Sequence, residues 1–233
     1  MQPDRIAAAV AMQERLAPLV RHTPPAGFVP RIAAGCDVAY SGDGTGAARV
    51  AAAVVCIDVE TGAEVASATA TGTTDFPYVP GLFAFRELPI LLDALGALRT
   101  VPDLLVADGH GVAHPRRFGL ASHLGVATGL PTIGVAKTAP GPFEAPPRDR
   151  GAATPLLMDG AQVGAVLRTR TGVKPVFVSV GHLIDLTTAS DLVLRLCRGT
   201  RLPETTRAAD RRCRTVLDEL ATQTQPRSYG PPS

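Results

Sequence analysis

Apolar and polar positions alternate along the chain in blocks, and each block has its own period. From Asp4 to about Val20 the apolar residues Ile6, Val10, Leu16 and Val20 recur at helical spacing, with Arg5, Gln13 and Glu14 on the other positions. This predicts an amphipathic helix, ended by Pro24, Pro25 and Gly27. Near-continuous small apolar residues follow from Arg31 to Tyr40, broken by Asp37: a buried strand with one charge set into it. Val50 to Asp58 and Glu64 to Thr73 predict two more strands, and the short turns between all three predict an antiparallel meander. A proline-rich elbow, Phe76-Pro77-Tyr78-Val79-Pro80-Gly81, precedes a helix marked by Phe85, Leu88, Leu91, Leu92, Leu95 and Leu98. Pro89 fits that helix only in its first turns or at a kink.

The apolar run Leu104 to Ala107 predicts a strand that delivers Asp108 onto the turn Gly109-His110-Gly111. A helix through Leu120, Leu124 and Val126 and a strand from Thr132 to Ala136 come next, and strand, helix, strand in that order implies parallel pairing through a right-handed crossover. Ala139 to Ala153, rich in Pro and Gly, predicts a loop. Pro155 to Met158, Gln162 to Leu167 and Val176 to Val180 predict strands, and Ala189 to Cys197 and Thr206 to Leu220 predict helices. The expected architecture is α/β: a central mixed sheet, meander plus parallel strands, flanked by helices. It forms one domain over residues 1–225, with a disordered tail at 226–233.

Composition narrows the partners. A chain of 233 residues with 45% hydrophobic content can bury a sizeable core. Its net charge is only +2, so a nucleic acid would have to be held by local basic clusters. Arg195, Arg198, Arg201, Arg207, Arg211, Arg212 and Arg214 form one such cluster, for which a solvated helical face is the ordinary reading. Cys36, Cys56, Cys197 and Cys213 lack C-x-x-C spacing and sit in apolar or helical patterns, which predicts reduced, buried thiols in a cytoplasmic protein. No stretch is long enough to cross a bilayer, and the N-terminus lacks a charged leader followed by an apolar segment, so no membrane partner is expected.

Three acids occupy positions that a core does not need: Asp37 in the first strand, Glu87 in the helix after the meander, and Asp108 at the end of the fourth strand. If the fourth strand lies beside the first, Asp37 and Asp108 meet and the intervening helix lowers Glu87 onto the same spot. Like charges so close need a cation. Carboxylate oxygens without Cys or His ligand spacing favour Mg²⁺, with Mn²⁺ as a substitute, over Zn²⁺. Such a site activates water and stabilises the leaving oxygen of a phosphodiester. Taken singly, Asp37 can be a strand-end turn residue, Glu87 a solvated helix position and Asp108 a loop cap. Together, with His114 and Arg116-Arg117 close behind Asp108, they point to phosphodiester hydrolysis.

The blocks AGCDVAY (Ala34 to Tyr40), PYVPGLFAFRE (Pro77 to Glu87), DGHGVAHPRRFGLASHLGV (Asp108 to Val126), PTIGVAK (Pro131 to Lys137), Gly181-His182 and RLPETTRAAD (Arg201 to Asp210) resemble endonuclease V, of the ribonuclease H-like superfamily, over most of the chain. The resemblance implies a metal-dependent endonuclease of DNA repair, acting as a monomer. It would recognise deoxyinosine, the product of adenine deamination, and cut the second phosphodiester 3′ to it, leaving 3′-hydroxyl and 5′-phosphate ends. It implies Asp37, Glu87 and Asp108 as the metal acids and Asp210 as either an auxiliary ligand or a helix-surface charge. Lys137 would hold the scissile phosphate or the attacking water. His114 would contact the phosphate or assist proton transfer, unless it only caps backbone in its His-Pro turn.

Tyr78, with Pro80 beside it, matches the family's wedge, which fills the hole left by a flipped base; without the family it reads as a tyrosine packed in its own turn. Backbone at Gly81, Leu82 and Phe83 and at Gly109, His110 and Gly111 would form the base pocket, pairing with the 6-oxo group and N1–H of hypoxanthine. Arg116 and Arg117 would sit on the DNA backbone. The side chains of His110 and His123 read as structural.

Two departures bear on binding. Thr138-Ala139-Pro140-Gly141-Pro142 follows Lys137 where relatives continue with basic residues, and Leu183 follows His182 where Arg is common. Both suggest lost phosphate contacts and greater salt sensitivity. Two other functions compete: an endoribonuclease acting on inosine-containing RNA, and a noncatalytic binder of flipped or branched DNA, against which the complete acid set argues.

Overall fold

The computed structural model describes residues 2–42 and 48–223. Helix α1 (Gln2–Leu16) passes into a single 3-10 turn at Ala17–Leu19. Pro18 lies in that turn, has no N–H to continue the α-helical ladder, and so ends α1 short of the predicted Val20. Eight strands follow: β1 (Ile32–Tyr40), β2 (Ala48–Asp58), β3 (Glu64–Thr74), β4 (Leu104–Ala107), β5 (Thr132–Ala136), β6 (Ala153–Met158), β7 (Ala161–Leu167) and β8 (Val176–His182). They form one sheet in the order β3-β2-β1-β4-β5-β8-β7-β6. The pairs β1–β4 and β4–β5 are parallel, and the meander and the β5–β8–β7–β6 half are antiparallel.

Four more helices cover the sheet: α2 (Ala84–Gly96), α3 (Leu120–Thr128), α4 (Leu186–Leu196) and α5 (Glu204–Gln223). The strand period of two divides β1 between the two faces. Ala34, Cys36 and Val38 join the core beneath α2 and α3, where Leu91 and Leu124 are fully buried, each contributing about 2 kcal/mol by area. Ala33 and Ala39 face the opposite layer, where α4 covers one half of the sheet and α5 the other. Pro89 sits on the exposed side of α2 within its first two turns, so the helix accommodates it.

α4 begins earlier than its apolar pattern suggests, because Asp185 caps it by accepting from the Thr188 N–H at 2.8 Å. α5 crosses β1 at Gly35, where a Cβ would lie 2.1 Å from the Thr205 main chain. Only glycine permits that approach, and it brings α5 down onto the strand that carries Asp37. The four cysteines are buried and free, as expected. Among the described residues, no helix is long and apolar enough to cross a membrane. The predicted tail, 226–233, lies outside the described residues.

Candidate active site

β1 and β4 run parallel with Cys36 opposite Ala107, so the next residue on each strand is an acid: Asp37 beside Asp108. The Asp108 N–H continues the ladder to the Cys36 carbonyl at 3.3 Å. Glu87 arrives from the first turn of α2 and is 3% exposed. Asp210 arrives from α5 on the other face. A cavity of about 500 Å³ is lined by Asp37, Asp108, Lys137 and Asp210 among others; a second, of about 300 Å³, is lined by Asp37, Tyr40, Tyr78, Phe83, Arg86 and Glu87. Asp37 stands at the junction of an acidic chamber and an aromatic one.

These carboxylates act on one another. Burial, then the charge of Asp108, pushes the Asp37 carboxyl up to about 7, against the opposing pull of the Val38 N–H and Lys137. Burial and the charge of Asp37 push Glu87 well above the ordinary carboxylate range. Burial alone would lower the Lys137 ammonium, but its hydrogen bond to Asp108 Oδ2 and the charges of Asp108, Asp37 and Asp210 raise it instead. Each of the three acids in turn holds a donor: Asp37 Oδ1 accepts from Val38 N–H at 2.9 Å, Glu87 Oε1 from Tyr40 Oη–H at 3.1 Å, and Asp108 from Lys137.

With these donors in place, no three acid, His or Cys side chains among the described residues close to coordination distance. The donor set nevertheless fits a hard divalent cation: the acids that line the two cavities, Asp37, Glu87, Asp108 and Asp210 among them, offer oxygen ligands, and the repulsion that raises Asp37 and Glu87 is what a cation would relieve. Asp210 reaches the same field, and its Oδ1 also accepts from Arg214 Nε at 2.9 Å.

The elbow before α2 projects Tyr78, which is 59% exposed, with Phe83 behind it at 37%. Arg86 anchors the start of the elbow by donating to the Phe76 carbonyl, and its guanidinium lies 5.2 Å from the Tyr40 ring centroid. The end of the elbow is held at the Gly81 carbonyl, which accepts from His114 Nε2–H at 2.9 Å and from Arg116 Nη2–H at 2.9 Å. His114 Nδ1 accepts from the Arg116 N–H at 3.2 Å, which fixes the Nε2–H tautomer, and burial lowers the imidazole to about 4. Both ring nitrogens thus engage main chain, and in this arrangement His114 supports the elbow.

Arg116 is likewise turned inward. Arg117, at φ 55, sends Nη2 to the Met158 carbonyl at 3.0 Å and toward Asp159 at 3.4 Å. Several backbone groups expected to read a base already have partners. Gly109 N–H donates to Ala107, Gly111 N–H to Ser179 Oγ and Leu82 N–H to Val79, while the carbonyls of His110 and Gly111 accept from Ala121 and Gly119. The Gly109-His110-Gly111 turn is glycine-rich first because it must pass close over β8: a Cβ on Gly111 would lie 1.9 Å from the Val180 carbonyl oxygen. His110 Nε2 bonds the Thr138 carbonyl at 3.1 Å, the structural role expected of it.

The sheet direction separates two features that the sequence could not. β8 runs antiparallel to β5, so His182 pairs with Thr132 at the end remote from Lys137. Leu183 therefore lies away from the acids, and the missing arginine there removes no contact near them. The C-terminal arginines are also largely committed. Arg207 pairs with Glu204 and Arg212 with Glu64, while Arg201 Nη2 donates to the Lys137 and Pro175 carbonyls at 2.8 Å, bracing the strand end that carries Lys137. Tyr40, Arg86, Arg201 and the wholly buried Gln13 were not picked out from the sequence as site residues. The polar termini of Tyr40 and Arg86, within matched blocks, were the available signal.

A family model described as Endonuclease V matches residues 14–211. The endonuclease V of Nocardia farcinica is 55% identical over 215 residues, covering 92% of this chain and 94% of that protein. The crystal structure of endonuclease V from Streptomyces avermitilis superposes with a TM-score of 0.86 at 52% identity, covering 92% of this chain and 94% of that one. Endonuclease V of Ciona intestinalis, in complex with a 24mer DNA containing an inosine followed by a ribo-adenosine, superposes at 0.78 with 27% identity, covering 93% and 99% of the two chains.

Proposed function

The chain belongs to the endonuclease V family of nucleases, and from that premise we propose that it is a divalent-cation-dependent endonuclease that recognises deoxyinosine in DNA. It hydrolyses the second phosphodiester 3′ to the lesion, leaving 3′-hydroxyl and 5′-phosphate ends, as a monomer in DNA repair. The observation that carries this reading is the parallel register that makes Asp37 and Asp108 neighbours, with Glu87 and Asp210 added from helices on opposite faces.

Asp37, Glu87 and Asp108 would hold Mg²⁺, or Mn²⁺ in its place, with Asp210 as an auxiliary carboxylate. The bound ion supplies an activated water and charge stabilisation for the leaving oxygen. Lys137, already bonded to Asp108, offers an ammonium at the strand end where a scissile phosphate would lie. Tyr40 orients Glu87. Tyr78 and Phe83 line the chamber shared with Asp37 and Glu87, so that Tyr78 can fill the stack vacated by a flipped base at little entropic cost. His114 serves recognition through the elbow. Arg116 and Arg117 would contact the DNA backbone while also holding main chain at Gly81 and Met158.

A second reading is cleavage of inosine-containing RNA. It is favoured by the ribo-adenosine that follows inosine in the Ciona complex. Matched DNA and RNA oligomers, each with one inosine, incubated with Mg²⁺ and then with chelator, separate the readings. The expected result is a chelator-sensitive nick in DNA. Cleavage of RNA alone would transfer the activity to the second reading, and no nick in either would end both.

A further inference from the structure

We propose that Gln13, on the N-terminal helix, is a positioning residue for lesion recognition, acting through the Gly81 carbonyl. The proposal rests on the nuclease reading above.

Gln13 lies on α1, sixty-odd residues before the elbow in sequence, yet it is 0% exposed. A fully buried primary amide is costly unless its donors and acceptor are used. Here both donors and the acceptor are used. Nε2–H donates to the Gly81 carbonyl at 2.9 Å and to the Phe118 carbonyl at 3.0 Å, while Oε1 accepts from Arg116 Nε–H at 2.6 Å. Arg116 and His114 donate to the same Gly81 oxygen, each at 2.9 Å. Three donors from two distant parts of the chain thus converge on one carbonyl, although an amide oxygen has two lone pairs.

That carbonyl sits where conformation is least forgiving. Gly81 has φ +79, and a Cβ there would lie 2.9 Å from Arg116 Nη2, so the clamp and the turn are fitted to each other. The remainder of α1 supports the same segment: Ala9, with Ile6 and Val10 against it, forms one apolar cluster with Phe76 and Leu82, the residues that flank Tyr78 and Gly81. Among the described residues, α1 supplies no lining residue to either cavity that holds the acids. Its contribution to function is to pre-set the elbow, so that Tyr78 is held ready rather than ordered at the moment of binding. Gln13 is the buried polar link in that support, bonding both Arg116 and Gly81, while Arg5 of α1 pairs at the surface with Asp75 just before the elbow.

A fixed elbow affects binding and discrimination, not the chemical step once substrate is seated. Two variants test this: Gln13→Met, which keeps volume and removes the hydrogen bonds, and Gln13→Glu, which keeps the acceptor for Arg116 and loses the donors. Metal-dependent nicking of an inosine duplex by the wild-type chain is measured first; its absence would remove the nuclease reading and not bear on the clamp.

With activity in hand, each variant is expected to raise KM about tenfold with kcat within threefold, and to lower the preference for inosine over adenine by a similar factor. Amide hydrogen exchange over residues 76–83, which needs no activity, is expected to speed up at least tenfold while the exchange of β1 and β4 is unchanged. Unchanged KM, preference and exchange in either folded variant would overturn the proposal. So would equal losses of kcat and kcat/KM with exchange accelerated throughout the chain, which is the signature of general destabilisation.

Discussion

The Tyr40 hydroxyl donates to Glu87 Oε1 at 3.1 Å, joining the last residue of β1 to the first turn of α2 across the mouth of the aromatic chamber. Glu87 is buried beside Asp37, so its charged form is held against burial and repulsion by such donors. Tyr40→Phe removes one. A hydrogen bond to a charged group is worth roughly 1.5 kcal/mol or more, close to a tenfold change in a binding constant. The Mg²⁺ concentration for half-maximal cleavage should rise by about that factor at neutral pH, and an unchanged Mg²⁺ dependence would remove Tyr40 from the site.

Tyr78 is more than half exposed on an elbow anchored at both ends, at Phe76 by Arg86 and at Gly81 by His114 and Arg116. Stacking against a base is worth about 1–3 kcal/mol. Tyr78→Ala should therefore cut the ratio of inosine to adenine cleavage by about tenfold or more while the melting temperature stays within a few degrees. An equal loss on both substrates would assign the ring a packing role instead.

His123 gives a stability prediction independent of substrate. Its ring lies 5.2 Å from Phe85 and 5.1 Å from Phe118, its Nδ1 has no hydrogen-bond partner among the described residues, and burial lowers it to about 4. Its ordinary value is about 6.5, so between these values the unfolded chain binds the extra proton. The stability held by the neutral ring is complete above pH 6.5 and is lost as pH falls toward 4, a loss on the order of 2 kcal/mol. Urea unfolding at pH 7 and 4.5 should show this loss in the wild type and a smaller one in His123→Leu. Parallel slopes in the two proteins would contradict it.

The acids were legible because a charge in an apolar strand is conspicuous, and because one pairing, β1 beside β4, was enough to unite Asp37 and Asp108. Composition and period could not supply strand direction in the second half of the sheet, so the sequence did not show that His182 and Leu183 lie at the end of β8 remote from Lys137. Gln13 was misread for a related reason. On a helical wheel a glutamine counts toward the polar face, and only the tertiary docking of α1 against the elbow buries it. The glycines at 109 and 111 were read as room for a base, whereas Gly111 first makes room for β8. The helix at Asp185 began earlier than its leucines because an Asp three residues before Thr is a capping signal of its own.

Asp37 within β1 and Asp108 just past β4 are proposed to cut DNA at inosine with a divalent cation. A duplex with a single inosine, incubated with the wild-type chain and with Asp108→Ala in Mg²⁺ and resolved beside sequence markers, tests it most directly. One wild-type nick at the second phosphodiester 3′ to inosine, abolished by chelator, is expected, with at least a thousandfold slower cleavage by a variant that still retards the inosine duplex in a gel. Turnover surviving in Asp108→Ala, or a wild-type nick indifferent to chelator, would contradict it.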